Sequence, residues 1–182
     1  MAKDGQTGQG KAMLRRDVIL GIGLLGLAAC ATSRQIPVGP DGLPMPSVYR
    51  ITEKDAQEIP FRMLESVNVL RQASGAGPVV LDPLLNAAAA THSRDMSIQN
   101  RPWHFGSDGS SPIDRLARVG YTGRLVGEVI SESFETENET LSAWMQDPST
   151  RAMILHPEAQ RMGLAWLQEP EGKIWWTMVL AR

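Results

Sequence analysis

A single cysteine, Cys30, stands in a chain of 182 residues, so no disulfide can form within it. Basic charge is not in excess either, with 18 Lys and Arg against 20 Asp and Glu. No basic face gathers along the sequence, which argues against nucleic acid as a partner. The longest apolar run, Val18 to Ala29, falls short of the roughly 20 residues a permanent membrane-spanning helix needs. There is no internal repeat. No G-x-S-x-G element and no readable Ser–His–Asp order supplies a serine nucleophile of the familiar kinds.

The N-terminus does carry a pattern. Lys3, Lys11, Arg15 and Arg16 form a positive start, the apolar run follows, and small residues Ala28 and Ala29 close it just before Cys30. A charged start, a short apolar run and small closing residues describe a signal peptide. L-A-A-C at Leu27 to Cys30 resembles the bacterial lipobox. That resemblance implies a diacylglyceryl group on the Cys30 sulfur, cleavage before it, and acylation of the new amine. Residues 1–29 are then a lipoprotein signal peptide and the membrane is a partner through lipid on Cys30. Ala31 stands where an aspartate commonly retains lipoproteins at the inner membrane, which favours the outer membrane. Arg15 and Arg16 ahead of Asp17, Val18 and Ile19 resemble a twin-arginine export signal, although two arginines also suit an ordinary positive start. Losing residues 1–29 removes four basic side chains and only Asp4 and Asp17 among the acids, so the remainder is more acidic.

Residues 30–49 hold the lipidated cysteine and a stretch with Pro37, Pro40, Pro44 and Pro46 among Gly39 and Gly42. Such a stretch holds no helix and serves as a semi-extended tether. The folded domain is expected over residues 50–182. Thr52 with Asp55 is spaced to cap a first helix. A helical stretch over Phe61 to Gln72 puts Phe61, Leu64, Val67, Val69 and Leu70 mostly on one side, and Gly75 and Gly77 stop it. Asp82 and Pro83 open a second helix to about Gln99, with Leu85, Ala88, His92 and Met96 at helical spacing. After a Gly/Ser/Asp loop, Ser111, Pro112 and Asp114 open a third. Leu125 to Ser131 reads as a strand. Thr136 and Glu139 cap a helix carrying Leu141, Trp144 and Met145, and Asp147 with Pro148 starts a short one ending near Leu155. Two strands close the chain around a turn at Pro170 and Gly172. Ile174, Trp176, Met178 and Leu180 alternate with Trp175, Thr177, Val179 and Ala181. A strand apolar on both faces is a central one covered by helices on each side, and helices followed by strands point to an α+β layered sandwich.

In this order the segments resemble the bacterial branch of the CAP superfamily, the cysteine-rich secretory, antigen 5 and pathogenesis-related (SCP-like) domains. V-N-V-L-R at Val67 to Arg71 and L-D-P-L-L-N-A-A-A-A-T-H-S-R-D-M at Leu81 to Met96 resemble its first two helices. S-D-G-S-S-P-I-D-R-L at Ser107 to Leu116 is followed by V-G-Y at Val119 to Tyr121. G-E-V at Gly127 to Val129 stands for the usual G-E-N. W-M-Q-D-P-S-T-R-A-M-I-L at Trp144 to Leu155 stands for W-M-x-S-P-G-H-R-x-N-I-L. The resemblance implies a three-layer α-β-α sandwich with a small, mainly antiparallel sheet. It also implies a cleft lined by two His and two Glu, which fall here at His104, Glu128, Glu139 and Thr150. At Thr150 the usual histidine is missing, and Val129 and Met153 replace two usual asparagines.

His104, Glu128 and Glu139 are therefore the candidate metal ligands. Two imidazoles are the natural core of a Zn²⁺ site, so zinc is a possible cofactor weakened by Thr150. His156 lies six residues beyond Thr150, about 240° around a continuous helix, and does not point the same way. Each candidate has a plainer reading. His104 can simply bridge the loop it starts, and Glu139 can be no more than the capping partner of Thr136. His92 reads as a satisfied core histidine. Glu128, in an otherwise apolar strand, needs a partner when buried, with His104 a candidate. No catalytic residue is assigned. Three functions stay open: a non-enzymatic binding module on the envelope for a lipid, peptidoglycan-related or protein ligand; a metal-dependent hydrolase with a reduced site; and a structural envelope protein.

Overall fold

The computed structural model describes Pro40, Gly42, Leu43 and residues 48–182. Cys30 and the signal peptide lie outside the described residues. The chain divides into an N-terminal unit, Met1–Met45, and a second unit, Pro46–Arg182; all that follows concerns the second.

Helix α1 (Glu53–Ala73) opens on a capping box, with Thr52 and Asp55 bonding each other's backbone amides, and runs unbroken through Pro60. Its buried residues are Ile59, Met63, Val67 and Arg71, one every four. Leu64 and Leu70 pack at the edge of that stripe, but Phe61 (65% exposed) and Val69 (60%) face away. The expected apolar face is therefore corrected in phase: residue 61 lies about 200° from Ile59 on a 3.6-residue helix. Helix α2 (Pro83–Gln99) starts where the Asp82 carboxylate accepts from the Leu84 and Leu85 amides. Helix α3 (Pro112–Arg118) has a second capping box, Ser111 with Asp114. Helices α4 (Glu137–Gln146) and α5 (Pro148–Ile154) are capped by Thr136 with Glu139 and by Asp147.

Among the described residues four strands form one sheet in the order β1-β3-β4-β2. They are β1 (Val80–Leu81), β2 (Leu125–Glu132), β3 (Arg161–Gln168) and β4 (Ile174–Ala181). β1 pairs parallel with β3, and the other pairings are antiparallel. β1 was not anticipated, because two residues carry no periodicity. Every residue of β4 is buried, as its two-faced apolar pattern requires. Ile174, Trp176, Met178 and Leu180 join Met162, Leu164 and Val129 in a core with α1, α4 and α5. Val179 and Ala181 join Ala165 in a second core with Leu85, Ala88 and Ala89 of α2 and Leu116 of α3. This is the expected α+β three-layer sandwich.

The second layer is thin. A Cβ on Gly163 would lie 2.2 Å from the Leu85 carbonyl carbon and 2.4 Å from the Asn86 amide nitrogen, so α2 rests directly on the strand. Ser93 Oγ on α2 donates to Thr177 Oγ1 at 2.9 Å on β4. On the other side of the sheet, the buried Arg71 donates to the carbonyls of Gly77, Ile154, His156 and Ala159 at 2.7–3.0 Å. It thus ties the end of α1 to the segment after α5.

Candidate functional site

Side chains alternate along β2, so Val129 enters the thick core while Glu128 faces the α2 and α3 layer. Glu128 is 5% exposed, and a carboxylate so placed must find cations or donors. Its main partner is Arg115, which the short, doubly capped α3 holds over the strand. Arg115 Nη2 lies 2.8 and 2.7 Å from the two Glu128 oxygens. The same guanidinium donates to the carbonyls of His104 and Ser110, both at 3.0 Å, and so fixes the loop between α2 and α3.

His104 supplies the second partner, with Nδ1 3.0 Å from Glu128 Oε1. Burial pushes the Glu128 carboxyl upward, but His104, His92 and Arg115 outweigh it and hold the carboxyl below its usual range. An ionised carboxylate only accepts, so the neutral His104 ring carries its proton on Nδ1. Nε2 is left as a bare acceptor on a side chain 47% exposed. The third neighbour is His92 on α2, wholly buried, with Nε2 3.5 Å from the same Glu128 oxygen. The Trp103 backbone is the other polar neighbour of this ring. Burial pushes its pKa down, against the pull of Glu128.

The structure thus brings His104 and Glu128 together and leaves Glu139 and Thr150 elsewhere. Glu139 is exposed, and its carboxylate accepts from the Glu135 and Thr136 amides at 3.2 and 3.3 Å. Thr150 Oγ1 donates to the Trp144 and Asp147 carbonyls, closing the junction of α4 and α5. Neither hydrogen-bonds to the Glu128 cluster. The metal trio of His104, Glu128 and Glu139 is corrected accordingly. Among the described residues no three His, Cys, Asp or Glu side chains are placed to hold an ion. The His92 and His104 nitrogens converge on a carboxylate oxygen rather than on a shared empty point, and Arg115 already provides the positive charge. This donor set does not fit Zn²⁺.

Two members of the cluster were missed. Arg115 sits inside the S-S-P-I-D-R-L motif, yet an arginine on a seven-residue helix reads as solvated. His92 is the buried core histidine that its spacing with Ala88 and Met96 indicates, but that spacing does not reveal that it stands beside Glu128.

The model of the cysteine-rich secretory protein family, CAP, matches residues 64–180. The chain belongs to the CAP family. A CAP relative in Bacillus subtilis, the protein YkwD, is 30% identical over 114 residues, covering 63% of this chain and 44% of that one. The chain therefore spans less than half the length of that relative. Two solved structures share the CAP fold. An outer surface protein of Borrelia burgdorferi has 16% identity and a TM-score of 0.65, over 70% of this chain and 95% of that one. An extracellular SCP-domain protein of Bacillus anthracis has 19% identity and a TM-score of 0.65, over 80% and 44%. Among the described residues of this CAP protein, no helix is long and apolar enough to cross a membrane.

Proposed function

We propose that this chain is an exported CAP-domain protein, lipid-anchored at Cys30 in the cell envelope, that binds a lipid, cell-wall or protein ligand at the His104–Glu128 rim without hydrolysing it. The state of Glu128 carries the reading. A general base must reach the proton it takes and hold it, and here Glu128 is 5% exposed, with a buried guanidinium against both oxygens and its carboxyl held below the usual range. What the cluster offers outward is the unpaired Nε2 of His104, a fixed hydrogen-bond acceptor suited to recognition. Export and anchoring rest on the lipobox-like Leu27 to Cys30 and agree with the surface and extracellular names of the two structural neighbours. Ala31, standing where an aspartate commonly retains lipoproteins at the inner membrane, favours the outer membrane.

Two measurements test this. Purified protein is assayed against lipid vesicles and wall fragments, with His104→Ala and Glu128→Gln beside the parent. Binding lost in both variants supports the rim as the locus; equal binding by all three removes it. For the anchor, labelled palmitate should enter the parent and not Cys30→Ala, which should leave the membrane fraction.

A further inference from the structure

The loop between α2 and α3 places two aromatic residues on either side of His104 in sequence. The Trp103 and Phe105 rings lie 5.5 Å apart and are inclined at 57°. The Arg101 guanidinium lies 4.0 Å from the Trp103 ring centroid. Trp103 Nε1 donates to Gln99 Oε1 at 2.8 Å, which anchors the indole, and Gln99 Nε2 donates to the Phe105 carbonyl at 3.1 Å, which fixes that backbone. Phe105 nonetheless stays 46% exposed. Beyond it, Ser107 Oγ donates to the Asp95 carboxylate at 2.8 Å. Asp108, half-exposed, pairs with Arg118.

The rim therefore combines an exposed aromatic surface with an imidazole acceptor, the carboxylates of Asp95 and Asp108, and the guanidinia of Arg101 and Arg118. An apolar site with a few fixed polar groups is the usual make-up of a small-molecule subsite. The two charges of each sign balance, so a charged ligand gains little here; the ligand must bring a hydroxyl or amide proton for His104 Nε2 and an apolar face for Phe105. An anionic lipid surface gains no net attraction here, because the guanidinia of Arg101 and Arg118 are matched in number by Asp95 and Asp108. An uncharged sugar ring meets it well, with C–H bonds on one face and hydroxyl donors around its edge.

We infer that the loop from Arg101 to Asp108 is a glycan-binding rim, where an uncharged pyranose packs on Phe105 and donates a hydroxyl hydrogen bond to His104 Nε2. This inference rests on the binding reading above and names its ligand class. Binding of a trimer of N-acetylglucosamine to the delipidated full chain is measured by calorimetry and by chemical-shift changes of the histidine rings. The parent should bind saturably, with the His104 ring shifting. Phe105→Ala should weaken binding at least tenfold at unchanged melting temperature, and His104→Ala should weaken it as much while the protein stays folded with a lower melting temperature, its bond to Glu128 being lost. Phe61→Ala, a more exposed aromatic on α1, should not change it. No saturable binding, or binding indifferent to Phe105→Ala, overturns the inference. So does Phe105-dependent binding to anionic vesicles without sugar binding. If His104-dependent binding to a lipid or protein survives such a result, only the glycan assignment falls. If nothing binds at His104, the proposed function falls with it.

Discussion

The two faces of the sheet are packed by opposite means. Towards α1, α4 and α5, long side chains such as Met63, Met162, Met178, Trp144 and Trp176 fill a deep apolar layer. Towards α2 and α3, Gly163, Ala165, Ala88 and Ala89 bring the helix down onto the strands. Methionines are adaptable fillers, so the thick face can absorb small displacements. The thin face has a helix backbone against a strand backbone and little slack. The buried Glu128–Arg115 pair, His92 and the Ser93–Thr177 bond all lie on the thin side. Buried charges gain from their partners only when geometry is held tightly, and the close approach of α2 and the caps of α3 hold it.

The contrast can be broken most severely at Arg115. Arg115→Met leaves Glu128 buried with only the His104 and His92 rings beside it and should cost about 3–5 kcal/mol in urea denaturation, while the double variant with Glu128→Met recovers most of the loss. A cost under about 1 kcal/mol would show that Glu128 does not depend on the guanidinium. On the thick face, Met178→Ala should cost about 2–5 kcal/mol through lost burial and a cavity, with the shifts of His104 and His92 unchanged in NMR spectra. Gly163→Ala adds one methyl group where there is no room and should cost about 1–3 kcal/mol. Unlike Met178→Ala, it should disturb the His92 and His104 resonances.

The smallest effect is one of pH. Glu128 from β2, Arg115 from α3 and His104 from the intervening loop all face His92, and burial holds its folded pKa below the ordinary value. The unfolded chain takes up that proton near pH 6.5, so His92 lowers stability as pH falls below that point. Glu128, with its folded pKa also depressed, contributes stability above about pH 4.3 that is lost at lower pH. His92→Gln should flatten the melting-temperature profile between about pH 5 and 6.5 and keep the acid limb. An unchanged profile would mean that His92 titrates normally.

Much of the fold was legible because its signals are local. Thr52, Asp82, Ser111, Thr136 and Asp147 each start a helix where a capping side chain stands. The double-sided apolar pattern of residues 174–181 marked the central strand. The face of α1 was misjudged because Phe61 and Val69 are apolar yet exposed, and only the tertiary partners of Ile59 and Met63 decide the phase. At the site, Glu128 and His104 could be found from a carboxylate in an apolar strand and from the family motif. Arg115 could not, since its burial comes from a strand more than ten residues further along the chain. That Glu139 and Thr150 serve helix junctions was half legible, because the capping spacing of Thr136 and Glu139 already accounts for that carboxylate.

The order of the sheet also bears on how the domain can be made. β4 lies between β3 and β2 yet follows both in the sequence. Until residue 181 has been synthesised, β2 has no strand to pair with and β3 has only the two residues of β1. Neither apolar face can be closed before then. A chain emerging at about 5–20 residues per second therefore remains without a sheet until its central strand arrives, and then folds in one late step. That interval leaves the chain threadable, and it is also when its methionine-rich layer is most open to aggregation.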